Sequence, residues 1–218
     1  MSLPQALADL QAKSREGLSE ATLATMDQAT ADLKQSNIES QSLNVGDLAP
    51  AFSLPNALGQ PVSLESRLQT GPVVISFYRG GWCPYCNLEL RALQAALPEI
   101  HALGASLLAI SPQTPDNSLS TQEKNALSYE VLSDVGNQVA RQFGLVFTLP
   151  ASLLPVYTDF GIDLAVANGN SSFELPLPAT YVVGTNGEIT HAFVDADYTK
   201  RLDPQKIIET LKKMPAKV

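Results

Sequence analysis

Cysteine and histidine are scarce in this sequence. Its 218 residues include two cysteines, Cys83 and Cys86, and two histidines, His101 and His191. Two cysteines are too few for the disulfide framework of a small secreted scaffold. The two histidines do not have the spacing of a zinc site, and His101 falls at the far end of the helix predicted after the cysteines. We therefore expect no bound metal.

Positive charge, long apolar runs and nucleotide-binding motifs are also missing. The chain has 14 Lys and Arg against 22 Asp and Glu, a net charge of −8, which argues against nucleic acid and anionic membranes as partners. The longest apolar run, residues 102–110, is too short to cross a bilayer. The chain starts without a basic segment followed by an apolar one, so we see no signal peptide and predict a cytoplasmic protein. It has no P-loop and no dinucleotide fingerprint. We expect no cofactor, and any nicotinamide reductant must act through another protein.

The two cysteines occur in a specific context. They follow an apolar, β-branched run, residues 73–78, and the flexible pair Gly80-Gly81. Leucines at helical spacing follow them in residues 87–97, so the pattern is strand, glycine turn, Cys-x-x-Cys and helix. A thiol at a helix start meets unpaired N–H groups, which favour the thiolate. A Cys-x-x-Cys pair in such a setting is typical of a redox-active dithiol.

The rest of the chain predicts an α/β domain preceded by a helical arm. Leucines at helical intervals in residues 1–42 predict one or two amphipathic helices, which pack on the domain or on a second subunit of a homodimer. A domain follows over residues 43–218, with strands, a tight turn at Asn186-Gly187 and a last helix opened by Pro204. We predict a short helix over residues 121–128 and a hairpin turn at Asn168-Gly169. The predicted strands of the domain cover residues 73–78, 105–111, 130–132, 179–183 and 188–194.

The order β-α-β-α-β-β-α, with a dithiol at the first helix, is the thioredoxin-like arrangement. Residues 77–89 resemble the active-site stretch of the peroxiredoxin (AhpC/TSA) family, and residues 46–52 resemble its opening. Further landmarks of the family occur at residues 132–136 and 187–189, so the similarity covers roughly residues 43–213. The resemblance implies a thioredoxin-like fold, with a central mixed β-sheet flanked by helices, and an N-terminal helical extension.

The active-site stretch departs from the family pattern Pro-x-x-x-Thr-x-x-Cys. The proline falls on Arg79, the threonine on Cys83 and the peroxide-attacking cysteine on Cys86. The family's arginine falls at or near Pro178. The chain thus resembles the branch of the family that has Cys-x-x-Cys in place of Thr-x-x-Cys.

This resemblance implies a thiol-dependent peroxide reductase that cycles through a Cys83–Cys86 intramolecular disulfide, with thioredoxin or glutathione as reductant. The attacking sulfur stays open: the thioredoxin pattern favours Cys83, and the peroxiredoxin register favours Cys86. Two other functions stay open as well. One is a thioredoxin-like oxidoreductase for protein disulfides, and the other is a redox-sensing interaction protein without significant turnover.

Several other residues are predicted to shape the site. Arg79 is either a thiolate-stabilising cation or a solvated loop residue, and Trp82 either forms a recognition surface or covers the core. Pro84 follows the first cysteine directly. The resemblance to thioredoxins implies a cis bond before Pro178, facing the dithiol. We expect Glu89, on the cysteine helix, to lie on a solvated face; the alternative is that Glu89, one turn after Cys86, relays a proton.

Overall fold

A computed structural model describes residues 2–214 of the chain. Its helices are α1 (Leu3–Arg15), α2 (Glu20–Gln35), α3 (Leu64–Leu68), α4 (Pro84–Ala102), α5 (Pro115–Lys124), α6 (Gln138–Gln142), α7 (Leu154–Asp159), α8 (Leu164–Asn168) and α9 (Pro204–Lys213). Its strands are β1 (Ser53–Pro55), β2 (Pro61–Ser63), β3 (Val73–Phe77), β4 (Ser106–Ser111), β5 (Glu130–Ser133), β6 (Val146–Thr148), β7 (Glu174–Pro176), β8 (Ala179–Val183) and β9 (Ile189–Val194). The division of the chain after residue 42 stays a prediction, and residues 215–218 of the predicted domain, like Met1, lie outside the described residues.

Five strands form the central sheet, in the order β5-β4-β3-β8-β9. β3, β4 and β5 run parallel, whereas β8 pairs antiparallel with β3 and with β9. In this register Ser76 of β3 lies opposite Thr180 of β8. The mixed sheet and its flanking helices confirm the predicted fold class. The predicted hairpin around Asn186-Gly187 is also present and joins β8 to β9.

Alternate residues of β3 face opposite sides of the sheet, as the two-residue period of a strand requires. Val73, Ile75 and Phe77 lie in one hydrophobic cluster. Val74 and Tyr78 lie in another, together with apolar residues of α4 and α9. The whole of β3 is buried, as expected for a strand covered on both faces.

α4 begins where the chain leaves β3 through the glycine turn. Cys83 is its N-cap, with an extended backbone, and Pro84 is its first residue. Proline suits this position because the first turn of a helix has no partner for its N–H group. Leu90, Leu93 and Leu97 form the buried stripe that packs on the sheet. The helix therefore carries the dithiol at its N-terminal end, which follows the carboxyl end of the central strand β3.

The N-terminal arm, which we define as residues 2–42, packs on the domain of its own chain. Leu3 and Leu7 of α1 are buried in the cluster that contains the α4 leucines. Ser14 Oγ lies 3.1 Å from the hydroxyl oxygen of Tyr85, two residues after the first cysteine. The first helix of the arm is thus anchored close to the dithiol.

Two polar contacts hold the second half of the arm. The guanidinium of Arg15 donates two hydrogen bonds of 2.8 Å to Asp27, which joins α1 to α2. Glu39 Oε1, beyond α2, accepts a 2.6 Å hydrogen bond from the backbone N–H of Ala196. The arm is therefore tied to the loop between β9 and α9 as well as to α4.

Two local predictions were wrong. Asn168-Gly169 is not a hairpin turn: Asn168 ends α8, and Gly169 caps it with φ +68°. The left-handed backbone that Asn-Gly pairs favour in hairpins is also the backbone of a helix C-terminus. The helix predicted over residues 121–128 begins earlier, at Pro115, because proline is well suited to a first helical position.

No helix within residues 2–214 is both long and apolar enough to span a membrane.

Candidate active site

The two cysteines lie at the start of α4, and the first of them lines a cavity. Both are reduced and buried, with 2% of Cys83 and 0% of Cys86 exposed. Cys83 lines a cavity of about 550 Å³, whereas Cys86 is not part of its wall. A small molecule in this cavity would meet Cys83 first.

The glycine turn before the cysteines is held by side chains of neighbouring elements. Gln113 Oε1 accepts a 2.8 Å hydrogen bond from the N–H of Gly81, and Asn87 Nδ2 donates a 2.9 Å hydrogen bond to the Gly81 carbonyl. A Cβ at Gly80 would lie 2.2 Å from the indole nitrogen of Trp82. Glycine is therefore required at position 80 for the indole to pack against the turn.

Arg201 reaches the second cysteine from the loop before α9. Its Nη2 donates a 3.0 Å hydrogen bond to Cys86 Sγ, and its Nε donates to Glu89 Oε2. The Arg201 side chain is fully buried. Ser76 and Thr180, the cross-strand pair of β3 and β8, lie 3.5 Å from the other oxygen of Glu89. The guanidinium is thus fixed between a carboxylate and a sulfur.

Arg79 forms the second cation of the site. It is 4% exposed, so it is not a solvated loop residue. Its guanidinium carbon lies 4.7 Å from the ring centroid of Tyr198 and 5.1 Å from that of Trp82, and Nη2 donates a hydrogen bond to the Tyr157 hydroxyl. Within residues 2–214 no carboxylate lies at ion-pair distance from it. Its charge is available to the sulfur of Cys83.

The pKa values of the two cysteines are shifted in opposite directions. Burial acts to raise the pKa of Cys83, but the hydrogen bond from the Cys86 thiol and the charges of Arg79 and Arg201 outweigh burial and lower this pKa to about 5. Burial and the hydrogen bond with Cys83 raise the pKa of Cys86 well above its ordinary value. Of the two cysteines, Cys83 therefore has the lower pKa, and Cys83 is also the one that belongs to the cavity wall.

The pH dependence of alkylation tests this assignment. We expect the rate at which iodoacetamide modifies Cys83 to be constant above about pH 6.5 and to fall below a midpoint near pH 5, because only the thiolate reacts. Mass spectrometry would locate the modified sulfur. Cys86→Ala removes the hydrogen-bond donor, so the midpoint should rise toward the ordinary thiol value of about 8.5. A midpoint above pH 7.5 in the unmodified protein would contradict the assignment.

The other predicted site residues all lie around the cavity. Trp82, Pro84 and Pro178 contribute to its wall together with Cys83. Trp82 is half-buried, and its ring packs edge-on against Tyr157, with 5.5 Å between centroids. It covers part of the core and also faces the cavity.

The predicted cis bond before Pro178 is wrong. The described residues contain no cis peptide bond. Pro178 lies between β7 and β8, where its carbonyl accepts a hydrogen bond from the N–H of Asp195. The trans form is the favoured one for X–Pro bonds, by about 0.5–1 kcal/mol. Pro178 belongs to the wall of the cavity that Cys83 also lines, without the predicted isomer.

Two charged residues of the site, Glu89 and Arg201, were not predicted correctly from the sequence. Glu89 is not on a solvated face: it is buried, and burial raises its pKa to about 7. Its spacing of four from Leu93 and eight from Leu97 was a signal that it shares their buried stripe. Arg201 was missed, and the family's arginine was expected near Pro178. The sequence carries no local signal for Arg201, because it lies in a loop 115 residues after Cys86.

Metal ligands do not assemble in the part of the chain that the structure describes. No group of three or more His, Cys, Asp and Glu side chains there could hold an ion. Residues 2–214 therefore hold no cluster in which the dithiol could act as a metal ligand.

Comparison with known families and relatives agrees with the thiol chemistry of this site. The model of the AhpC/TSA family matches residues 45–192, more than half of the chain. Peroxiredoxin Bcp of Escherichia coli (strain K12) is 35% identical over 103 residues, which cover 47% of this chain and 65% of that protein. The aligned part therefore spans just under two thirds of that relative's length. Chloroplastic peroxiredoxin Q of Sedum lineare is 30% identical over 168 residues, which cover 77% of this chain and 75% of that protein.

A solved structure shares the fold. The crystal structure of peroxidoxin BcpB from Mycobacterium tuberculosis superposes with a TM-score of 0.63 and 24% sequence identity, covering 79% of this chain and 99% of that one. The central sheet and the helix that carries the dithiol thus belong to a known architecture.

Proposed function

We propose that this chain, which belongs to the AhpC/TSA family, is a thiol-dependent peroxide reductase. Its two functional cysteines would be Cys83 and Cys86. The observation that carries the proposal is the position of Cys83, which lines a cavity and has a lowered pKa, while Cys86 does not belong to the cavity wall. A thiolate that faces a cavity and has a second thiol within hydrogen-bond reach is suited to two-electron reduction of a small oxidant.

In the first step the Cys83 thiolate attacks the terminal oxygen of a hydroperoxide. A sulfur–oxygen bond forms and the oxygen–oxygen bond breaks, so that Cys83 becomes a sulfenic acid and the alkoxide leaves and is protonated to an alcohol. Negative charge moves from sulfur to the leaving oxygen during this step. The guanidinium of Arg79, which has no carboxylate partner among residues 2–214, is the cation available to stabilise that charge.

In the second step Cys86 resolves the sulfenic acid. Once the charge on Cys83 is gone, one cause of the raised pKa of Cys86 is gone as well, while the charge of Arg201 still lowers it. Cys86 then ionises beside Arg201 Nη2 and attacks Cys83 Sγ. A disulfide forms within the chain, and hydroxide leaves and is protonated to water.

An external thiol closes the cycle. We propose thioredoxin or glutathione as its source: two thiols reduce the Cys83–Cys86 disulfide to the dithiol and leave as a disulfide themselves. Without a thiol reductant the protein should complete one turnover and stop.

A coupled assay tests the proposed function. We expect NADPH to be consumed when the protein is mixed with hydroperoxide, thioredoxin and thioredoxin reductase, or with glutathione and glutathione reductase. The two mixtures, compared at equal protein concentration, identify the reductant. The control replaces peroxide with insulin disulfides, and the NADPH consumption that thioredoxin or glutathione alone causes with insulin is measured without the protein and subtracted. Consumption with insulin alone would overturn the proposal in favour of a protein-disulfide oxidoreductase, and consumption with neither substrate would favour a redox sensor.

A further inference from the structure

The second helix of the N-terminal arm forms part of the wall of the cavity that Cys83 lines. Met26, Ala29 and Leu33 of α2 belong to this wall. The family match begins at residue 45, so α2 lies outside the matched region. The surface in front of the reactive sulfur is therefore supplied in part by a segment that the match does not include.

Neither sulfur of the dithiol is accessible to a large partner. Cys83 is 2% exposed and Cys86 is 0% exposed. In thiol–disulfide exchange a thiolate attacks a disulfide sulfur directly, so a protein thiol has to bring the surface around it to the target. A small thiol has to fit only within the cavity, whose volume of about 550 Å³ is typical of sites for small organic molecules. The covered dithiol therefore favours small thiols as reductants.

Oxidation does not require the arm to move. The two cysteines are hydrogen-bonded to each other, so their sulfurs are already close and a disulfide can form between them in place. We therefore expect the arm to cover the disulfide as it covers the dithiol.

α2 is the less firmly packed helix of the arm. Of residues 20–35, Ala29 alone is buried, whereas α1 buries both Leu3 and Leu7. A Cβ at Gly17, in the turn between the two helices, would have no atom within 4 Å beyond its chain neighbours. Segments with few buried apolar contacts open most easily. α2 is therefore the part of the arm that can leave the cavity while α1 stays in place.

Three polar contacts, which we call the arm tethers, tie α2 and the segment after it to their surroundings. They join Asp27 to Arg15 of α1, Lys34 to Asp197, and Glu39 to the backbone N–H of Ala196. The arm residues Asp27, Lys34 and Glu39 are all exposed, and exposed ion pairs contribute little to stability. We therefore expect α2 to leave the cavity in a minor fraction of molecules.

We propose that the arm selects the reductant by size: it admits low-molecular-weight thiols to the Cys83–Cys86 disulfide and excludes protein thiols such as that of thioredoxin. The proposal rests on the reductase function proposed above and distinguishes between its two reductants. A protein thiol reacts only with molecules in which α2 has left the cavity, so its rate constant is reduced by the fraction of such molecules. A small thiol reacts while α2 is in place.

The reduction of the disulfide then takes place in two steps within the cavity. The thiolate of a small thiol attacks Cys83 Sγ, a mixed disulfide forms, and Cys86 leaves as a thiolate beside Arg201. A second small thiolate attacks the small-molecule sulfur of the mixed disulfide and releases the Cys83 thiolate. Two thiols are oxidised to one small-molecule disulfide, and the two cysteines are reduced.

Reduction of the oxidised protein in the absence of peroxide tests the proposal. The disulfide is prepared with diamide, and its reduction by dithiothreitol or by reduced thioredoxin is followed by quenching with N-ethylmaleimide and mass spectrometry. The measured quantity is the ratio of the rate constant for thioredoxin to that for dithiothreitol, with insulin disulfides as the reference. We expect this ratio to be at least about tenfold lower for the protein than for insulin. A smaller difference, or a higher ratio for the protein, would overturn the proposal.

Two triple variants assign the effect to the arm. The tether variant is Asp27→Ala/Lys34→Ala/Glu39→Ala, and the control variant, which breaks two exposed ion pairs of α4 and α9, is Glu99→Ala/Lys212→Ala/Glu209→Ala. Each removes two acidic groups and one basic group, and all six residues lie outside the cavity wall. The ratio should rise at least about fivefold in the tether variant and stay within about twofold in the control variant. A smaller rise, or an equal rise in both variants, would contradict size selection by the arm.

The pH midpoint of Cys83 alkylation distinguishes opening of the arm from loss of structure. It should stay near pH 5 in both variants, because the groups that lower the pKa of Cys83 are unchanged. A raised ratio together with a midpoint near the ordinary thiol value of about 8.5 would show that the domain has unfolded. That result would also count against the proposal, which requires α2 to move while the dithiol keeps its surroundings.

These measurements separate the size selection from the proposed function, because the reduction experiments contain no peroxide. If the ratio depends on the arm tethers while no thiol supports peroxide consumption, the reductase function is overturned and the size selection stands. If peroxide is consumed and the ratio is the same in the two triple variants, the reductase function stands and the size selection is overturned.

Discussion

Cys83→Ser is expected to lower the rate of peroxide reduction by at least about a thousandfold, because a serine hydroxyl does not ionise at neutral pH and cannot replace the nucleophile. Cys83 is the sulfur with the lowered pKa, and it lines the cavity. Stopped-flow measurement of peroxide loss in a single turnover, without external thiol, isolates this step. Trapping with a sulfenate-specific reagent shows whether the first product forms.

Cys86→Ser is the matched control for this prediction. A serine at position 86 can still donate a hydrogen bond to the Cys83 thiolate, so the first sulfenic acid should form at a rate within about tenfold of the unmodified protein. The disulfide cannot form, and turnover with thioredoxin should stop. The reverse pattern, with sulfenic acid retained in Cys83→Ser and lost in Cys86→Ser, would show that Cys86 is the attacking sulfur.

Arg201→Met is expected to destabilise the protein by about 3–5 kcal/mol, because the buried carboxyl group of Glu89 loses its charged partner and hydrogen-bond donor and must take up a proton. Both side chains are buried, at 0% and 2% exposure, and their hydrogen bond links the loop before α9 to α4. The free energy of unfolding, measured by urea denaturation of the reduced protein, reports this loss. Adding Glu89→Gln removes the ionisable group, so the double variant should recover a large part of the stability.

An exposed ion pair supplies the comparison for this stability prediction. Arg141 donates a 2.8 Å hydrogen bond to Glu174 at the surface, where 52% of the arginine side chain is exposed. Arg141→Met should cost less than about 1 kcal/mol, since exposed pairs contribute little. A loss of the same small size for Arg201→Met would contradict the structural role given to the buried pair.

The chemistry at the dithiol should respond to the same change. The charge of Arg201 lowers the pKa of both cysteines. In Arg201→Met the midpoint of Cys83 alkylation should therefore move to higher pH, and disulfide formation after the first step should slow by about tenfold or more at pH 7. Loss of stability alone would not move the alkylation midpoint, so this measurement separates the electrostatic role of Arg201 from its role in folding.

Local patterns in the sequence predicted much of the fold. The apolar run of β3, the glycine turn and the leucine spacing of α4 each depend on residues a few positions apart, and the structure has all three elements as predicted. Turn signals were less decisive. Asn168-Gly169 ended a helix instead of turning a hairpin, because a left-handed backbone serves both purposes.

The residues around the dithiol show which features of the site local sequence patterns do not predict. The sequence by itself determined that two thiols lie at the start of a helix that follows a buried strand. It did so because the preferences for strand, turn and helix depend on residues that are close in the chain. Only the tertiary structure decided which sulfur faces the cavity, which arginine contacts the other one, and that the arm covers the site. Arg201 lies 115 residues from Cys86 in the chain, and a contact over that distance is set by how the loop before α9 packs on α4. Hydrophobic periodicity indicates which face of a helix or strand is buried. It does not indicate which charged residue, distant in the chain, packs against that face.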